Sequence, residues 1–537
     1  MRSLVLVWLL ALPAAVLAQE QVRPGTRSGR LRDVRISTSD VFSDEYATEH
    51  LLAAAVNALH WTTREQVIAR EIWFERGSIV TAEDTAELER NLRALNLFAD
   101  VSVRLAPTGN DGEVDLEVTT RDRLTLSFGG GGSYLGGVTG VRFALGESNL
   151  FGQGDALGAS FFENSDGEYR GTLVYTDLHV LDTWHTGSVR YSRTDDGDSL
   201  GLSLRRPFKH LTDPRSYGFD ANHDEVGVDY YRDGESVANV HDIGDGFDAN
   251  LLWGDGPPDR RRTAGIVLAL DAHDYDPATG PAAAEIRVPS DTQSAFLGPT
   301  ARWRWIDGYR KVEGLDTIDY IQDLTLGLDV GATLGVRWRD EQGAGADLEP
   351  ELRADVSWAT EPLTGVFTNL GASGSMRLRD RDFVGWYGSL AGRAYAQVDS
   401  ANTLAASVVF DAVEEKEGLP VELTLGEDNG LRGYPAHAFS GTRRLRTNLE
   451  DRLDTGLEFA TLRLGLVAFF DTGWTGRDEF LGAPSSSVGF GLRIATKKLL
   501  GAGVVRIDFA KPLESFDGEG TGWKVSVSSG QVFGFGL

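Results

Sequence analysis

Two stretches of the sequence match the triplet of aspartic proteases, Asp454-Thr455-Gly456 and Asp471-Thr472-Gly473. That chemistry needs two aspartates that share one proton. Here the two triplets fall on neighbouring predicted strands rather than in two separate lobes. The pattern therefore argues against a protease, and it leaves Asp471 as a charged residue whose role has to be found elsewhere.

Other signs of enzyme chemistry are missing from the sequence. The chain has no cysteine, which removes thiolate metal sites. Residues 129–132 are glycines without the Lys and Ser/Thr of a phosphate-binding loop, and no Gly-x-Ser-x-Gly elbow stands out. The histidines follow no metal-ligand spacing: His50, His60, His179, His185, His210, His223, His241, His273 and His437. We therefore expect no enzyme, no cofactor and no metal site.

The first residues have the pattern of an export signal. Arg2 precedes an apolar run over residues 4–12 and a small-residue stretch that ends at Ala18. A charged start, a short apolar core and small residues before the cleavage point are typical of a secretory signal peptide. We predict a signal peptide over residues 1–18 and a flexible polar leader over residues 19–30.

The composition narrows the remaining classes. No later segment reaches the length of about 18 apolar residues that a helical membrane span needs. The formal net charge is −28, whereas nucleic-acid binding requires a basic surface. We therefore expect neither membrane helices nor a nucleic-acid partner.

Residues 31–120 have the pattern of a small α/β domain. Residues 31–36 read as a strand, and the apolar residues of 47–60 are spaced for one face of a helix. Thr81 followed by Asp84 is a helix-start signal. Two alternating segments, 98–105 and 113–118, flank an Asn-Asp-Gly turn and predict a hairpin. The predicted order is strand, helices, hairpin.

From about residue 121 to the end, short alternating segments replace the helical pattern. In residues 503–513, Val505, Ile507 and Phe509 share one parity, whereas Arg506 and Asp508 share the other. An apolar outer face and a polar lumen predict this alternation in a membrane β-barrel. A large β-sandwich or propeller is the alternative. About twenty such segments can be counted, and sixteen strands remain possible if some segments form loop hairpins.

Four motifs carry a resemblance to a known family. They are Gly146-Glu147-Ser148-Asn149-Leu150-Phe151-Gly152-Gln153-Gly154, Leu431-Arg432-Gly433-Tyr434, Phe469-x-Asp471-x-Gly473, and the run from Gly489 to Leu513. In this order they resemble the BamA/TamA family of outer-membrane proteins, also called the bacterial surface antigen family. Residues 74–101 look like its periplasmic POTRA module, for which this chain has room once.

The resemblance implies a barrel that usually has sixteen strands and an arginine loop that folds into the lumen. Strand parity fits this implication, because Phe469, Asp471 and Gly473 fall on one face of their strand. Asp471 can accept a bidentate bond from Arg432. Gly433 permits a close approach to the wall, and Tyr434 can stack nearby. We predict that these six residues form a lumen latch.

A second candidate site is the seam between the first and last predicted strands, residues 124–132 and 523–535. Leu124 and Gly129 belong to the first, and Trp523, Phe533 and Phe535 to the last. Because glycine weakens strand pairing, the seam is expected to close weakly and to open sideways.

These features predict a small N-terminal α/β domain over residues 31–120 and an antiparallel membrane barrel over residues 121–537. The expected location is the bacterial outer membrane, with the N-terminal domain in the periplasm. The expected function is insertion or translocation of proteins, with the lipid bilayer and client proteins as partners. A passive pore for small solutes or lipids, and a structural or adhesive surface barrel, are the alternatives.

Overall fold

The computed structural model describes residues 28–537 except 111, 136–137, 166, 317, 319–320, 344, 460–461, 496–503, 518–519, 535 and 537. The predicted signal peptide lies outside the described residues, as does the leader up to residue 27. In the part of the chain that is described, an α/β domain precedes a closed β-barrel. None of the helices described is long and apolar enough to span a membrane.

The N-terminal domain has one sheet with helices packed against it. Its elements are β1 (Gly29–Ser39), α1 (Asp44–Glu49), α2 (Leu51–Leu59), α3 (Glu65–Glu71), β2 (Ile79–Val80), α4 (Ala82–Ala94), β3 (Phe98–Pro107) and β4 (Glu113–Asp122). The described strands are ordered β2-β1-β4-β3, and β1 runs parallel to β4. Ile68, Leu88, Leu92 and Leu116 form the centre of the buried core.

The local sequence explains most of these elements. Thr81 and Asp84 form a reciprocal capping box at the start of α4. Two expectations were wrong. The leader ends earlier than residue 30, because β1 already begins at Gly29 and pairs with β2. The single helix expected over residues 47–60 is two helices, because His50 has an extended backbone between α1 and α2.

Among the described residues, twenty antiparallel strands close the barrel, with two short strands, β20 and β21, in a loop. In chain order the strands are β5 (Leu126–Leu135), β6 (Val138–Leu150), β7 (Asp155–Asn164), β8 (Tyr169–Asp177), β9 (Thr186–Thr194), β10 (Asp198–Arg206), β11 (Arg215–Arg232), β12 (Glu235–Asp255), β13 (Arg260–Tyr275), β14 (Thr292–Glu313), β15 (Ile321–Glu341), β16 (Gly345–Leu363), β17 (Val366–Arg379), β18 (Asp382–Gln397), β19 (Asn402–Glu415), β20 (Leu423–Leu425), β21 (Phe439–Gly441), β22 (Arg443–Phe459), β23 (Leu462–Gly476), β24 (Ser485–Ala495), β25 (Val504–Pro512) and β26 (Lys524–Ser529). The count of alternating segments is confirmed. The sixteen strands implied by the resemblance are wrong for this chain, because the segments that were candidates for loop hairpins are strands of the wall.

The two faces of the wall differ as a membrane barrel requires. On β15, Leu334, Val336 and Trp338 are exposed on the outside. Arg337 and Arg339, which alternate with them, face the lumen and pair with polar groups there. A continuous apolar band of this size has no place in water, but it matches a hydrocarbon layer. The expected fold, an antiparallel membrane barrel with a small α/β domain, is confirmed, and the β-sandwich or propeller is excluded.

The barrel has two distinct ends. We call the end that contacts the N-terminal domain the domain end, and the opposite end the loop end. The turns at residues 151–154, 178–185 and 207–214 lie at the domain end. The long connections at residues 276–291 and 416–442 lie at the loop end.

The turn after β6 docks on the N-terminal domain through Asn149. Its side-chain nitrogen donates to Trp61 O and to Thr63 Oγ1, both at 2.9 Å. Its side-chain oxygen accepts from Gly154 N at 2.9 Å. Gly152 has φ +73°, and a Cβ there would lie 2.4 Å from Thr62 O. The glycine is therefore needed for the close approach of the two backbones.

Helices α3 and α4 dock on other parts of the same end. Glu71 of α3 accepts from His179 Nε2 at 2.9 Å and from Lys209 Nζ at 3.2 Å. Arg93 of α4 makes a bidentate bond to Asp323 on β15, at 2.6 and 3.0 Å. These paired charges hold the domain in one orientation against the barrel.

We predict that acid loosens this docking through Glu71. Burial alone raises the pKa of Glu71, but the hydrogen bond from His179 and the charge of Lys209 outweigh it and lower the pKa below 4.5. The stabilisation is therefore complete above pH 4.5 and is lost as the pH falls through the lowered value. Hydrogen exchange of α3 should accelerate in that acidic range.

The Glu71→Gln variant should weaken docking by about 1–3 kcal/mol, because buried donors lose a charged acceptor. Its α3 exchange should be faster than wild type at neutral pH and should change little on acidification. Glu75→Gln, at an exposed position just beyond α3, is the matched control. Equal exchange in all three proteins would show that Glu71 does not hold the domain.

Candidate functional site

The long loop between β19 and β22 folds back into the barrel. Its short strands β20 and β21 pair with each other, and its apolar side chains form their own small core. That core contains Leu425, Leu431, Tyr434 and Ala438, with Phe439 and Phe516 packed against it. The loop is therefore a folded unit that can hold one side chain in a defined position against the wall.

That side chain is Arg432. Its Nε donates to Asp471 Oδ2 at 2.7 Å, and its Nη2 donates to Asp471 Oδ1 at 2.9 Å. Its Nη1 lies 2.8 Å from Glu450 Oε1. The guanidinium carbon lies 3.4 Å from the centre of the Phe469 ring. The planar group is thus fixed by carboxylates at its edges and by an aromatic face.

The pair is shielded from water. Arg432 is 1% exposed and Asp471 is 0% exposed. Asn448 fills the remaining side by donating to Asp471 Oδ1 at 2.8 Å and to Gly430 O at 2.6 Å. Because separating such charges leaves a buried ion without a partner, the loop cannot leave the wall without a large cost in free energy.

The other predicted latch residues surround this pair. Gly433 has φ +88°, and a Cβ there would lie 3.1 Å from the Cβ of Ala510. Tyr434 Oη donates to Ser486 O at 3.0 Å. A Cβ on Gly473 would lie 2.4 Å from Leu425 Cδ2. Together they let the loop backbone lie directly on β23 to β25.

Several charged residues of the site were not singled out from the sequence. Arg452 Nε donates to Glu450 Oε2 at 2.8 Å, and Arg493 Nη1 donates to Asp508 Oδ1 at 2.7 Å. The signal was present in β22, where Arg444, Arg446, Asn448, Glu450 and Arg452 share one parity. A strand whose inner face is all polar indicates that a charged partner covers it. The buried network therefore joins the loop to the wall through ion pairs.

The folded loop also contacts the last strand of the barrel. The side chain of Glu427 lies close to Ser526 of β26. Arg506 of β25 donates to Ser528, which also lies on β26. The loop therefore contacts β26 from inside the lumen. β26 is the last strand of the barrel, and it lies beside the first strand, β5.

Among the described residues, the seam between β5 and β26 contains the fewest paired residues of any two neighbouring strands of the wall. β26 pairs with β25 along its whole length. Towards β5, the register of the described residues contains one pair, Ser526 opposite Ser133. Gly129 lies within β5 opposite Ala144 of β6. Since each backbone hydrogen bond contributes about 0.5–1.5 kcal/mol, this seam is easier to separate than its neighbours.

Three predicted seam residues lie elsewhere. Leu124 precedes β5 and is buried with Val41 and Phe42 of the N-terminal domain, because the chain is still leaving that domain. Trp523 precedes β26 and contacts Phe490 on the outside, 5.6 Å between ring centres. It therefore packs on β24 rather than across the seam towards β5.

Phe533 was predicted to lie in the last strand at the seam, and this is wrong. The strand ends at Ser529, and Gly530 follows with φ +82°. Phe533 then packs with Tyr395 in a buried cluster, and its carbonyl accepts from Arg452 Nη2 at 3.1 Å. The chain therefore turns into the lumen after β26. Phe535 lies outside the described residues.

We predict that Arg432→Ala destabilises the barrel by about 3–5 kcal/mol, because Asp471 and Glu450 remain buried without their cation. Thermal unfolding in detergent, followed by circular dichroism, measures the effect. In a double-mutant cycle, Asp471→Asn should remove much of the additional cost of Arg432→Ala.

The matched control is Arg463→Ala on β23, the strand that also carries Asp471. Arg463 pairs with Asp454 at 2.6 Å, but its side chain is 31% exposed. A solvated pair of this kind contributes about 0–1 kcal/mol. Equal losses for the two arginine variants would contradict the assignment of Arg432 as the side chain that joins the loop to the wall.

No protein-family model matches the sequence, and no curated protein matches it. Similar solved structures include BamA from Haemophilus ducreyi lacking POTRA domains 1–3, at 12% identity and a TM-score of 0.42, covering 94% of this chain and 84% of that one. They also include CdiB from Escherichia coli, at 11% identity and a TM-score of 0.46, covering 93% and 76%. CdiB from Acinetobacter baumannii has 12% identity and a TM-score of 0.42, covering 94% and 74%. The assignment of this chain as a barrel of the outer-membrane type rests on its own strand pairing and lipid-facing surface.

Proposed function

We propose that this barrel lies in the bacterial outer membrane with its N-terminal domain in the periplasm, and that it assists the insertion or translocation of proteins. The observation that carries the proposal is the seam between β5 and β26. A barrel closed by one described pair, Ser526 opposite Ser133, can open sideways into lipid at low cost. An opened seam offers unpaired backbone groups, to which a client strand can pair.

The N-terminal domain supports the same function. β3 stands at the edge of its sheet in the described part of the domain. An edge strand of ten residues can accept an extended client segment by β-augmentation. The docking through Asn149 and Glu71 keeps this edge in a fixed relation to the barrel, so that a captured segment is presented near the domain end.

The folded loop gives the seam its support. Arg432 fixes the loop to β22 and β23, while Glu427 reaches Ser526 on the far side of the loop. In this mechanism the latch holds the lumen side of the last strand, and the opening occurs between β26 and β5. No covalent bond is made or broken. The free energy that drives the process comes from the exchange of strand pairings.

A disulfide between Ser133→Cys and Ser526→Cys tests the mechanism, since the chain has no cysteine of its own. We expect the oxidised protein to lose function and a reductant to restore it, because a locked seam cannot admit a client. The control disulfide joins Ser188→Cys and Ser203→Cys, which face each other across β9 and β10. Full activity with the seam locked would contradict lateral opening.

Depletion of the protein, followed by a proteome of the outer membrane, tests the function itself. Loss of many barrels would support insertion, and loss of one exported partner would support translocation of that client. An unchanged proteome would reject both. Steady large conductance in single-channel recordings, without client crosslinks, would then favour the passive pore, and its absence would favour a structural or adhesive role.

A further inference from the structure

Helix α2 of the N-terminal domain has an unusual composition. Its sequence from Leu51 to Leu59 is apolar except for Asn57. The Asn57 side chain is used locally, since it accepts from Phe42 N at 3.1 Å and donates to Phe42 O at 2.9 Å. The helix therefore offers apolar surface on more than one face.

Among the residues that the structure describes, only one of these faces is covered. Ala53 is buried with Val41, Phe42 and Leu124, and Val56 packs against the same cluster. The opposite face is exposed, with Leu51 at 87%, Leu59 at 64%, and Ala55 and Ala58 also open. Because removing apolar side chains from water is favourable, this face has a strong tendency to be covered.

The position of α2 relative to the barrel indicates what covers it. Leu126 and Phe128 lie two residues apart on β5 and therefore on the same face of the wall. Phe128 is 63% exposed on the outer side. Leu126 packs against the cluster beneath α2. The helix thus stands outside the rim of the barrel, on the side that faces lipid.

Two aromatic residues continue this surface. The ring of Trp61, just after α2, lies 5.1 Å from the ring of Phe151 in the turn after β6. Both rings are partly exposed, at 43% and 54%. Phe151 follows a strand whose outward residues, Phe143 and Leu145, are exposed to lipid. Tryptophan is typical of the membrane–water interface, and Trp61 lies there beside the end of a lipid-facing strand.

We propose that α2, together with Trp61 and Phe151, is a membrane-interface element of the N-terminal domain. Its face of Leu51, Ala55, Ala58 and Leu59 lies in the interfacial layer of the leaflet at the domain end. A lipid surface is the occupant, because the covered face of α2 rests on the lipid-facing side of the wall at Leu126, and Trp61 rests on Phe151 at the end of a lipid-facing strand. The element holds the domain against the bilayer beside β5, and this does not depend on what the barrel transports.

Spin labels on single cysteines test the proposal in the full-length protein. Leu51→Cys, Ala55→Cys and Leu59→Cys report on α2, and Ile79→Cys is the matched control, since it is 69% exposed on β2. In phosphatidylcholine nanodiscs, the ratio of oxygen to nickel-chelate collision rates should be several-fold higher at the α2 positions than at Ile79. Oxygen concentrates in lipid and the chelate stays in water.

Two results would overturn the proposal. Equal ratios at all four positions would show that the face remains in water. Low access to both reagents, with dipolar broadening between labelled molecules, would show that a second copy covers it. If a leucine variant does not fold, Ala58→Cys on the same exposed face supplies a substitute position.

Discussion

The structure depends on one buried ion pair. Arg432 reaches from a loop into the lumen, and Asp471 meets it from the wall with two hydrogen bonds. Neither charge is tolerable alone in this shielded place. The folded loop, the glycine at position 433 and the polar inner face of β22 all serve to bring the two charges together and to keep water out.

The buried ion pair makes the strands that carry the loop rigid, whereas the seam between β26 and β5 can separate. The loop is fixed to β22 and β23 by charge, and it touches β26 through Glu427 and Ser526. Beyond Ser526 the wall continues to β5 through little pairing among the described residues. A firm side next to a weak seam is a physical basis for sideways opening, since strain on the wall is released at its weakest pairing.

The N-terminal domain is joined to the barrel by polar contacts, in addition to the apolar packing at Leu126 and Phe151. Asn149, Glu71 and Arg93 each place a hydrogen-bonding group at one point of the domain end. Such contacts specify orientation, because their geometry is directional. The apolar part of the domain that remains uncovered, the outer face of α2, lies beside β5 and not over the lumen.

Local patterns account for much of the architecture. The alternation of Arg506 and Asp508 with Val505, Ile507 and Phe509 is enough to predict a lipid face and a lumen face. The capping box at Thr81 predicts the start of α4 correctly. The break at His50 was not predicted, because α1 and α2 together have the spacing of one continuous helical face.

By itself, the sequence determined the membrane barrel, the α/β domain before it and the parity that puts Asp471 inside, because these follow from periods of two and of 3.6 residues. Only the tertiary structure decided which side chains contact each other. Phe533 has the parity of a lipid-facing residue, yet Gly530 turns it into the lumen to meet Tyr395. Leu124 has the appearance of a strand residue, yet it packs under α2. Such contacts join residues far apart in the chain, and no local period encodes them.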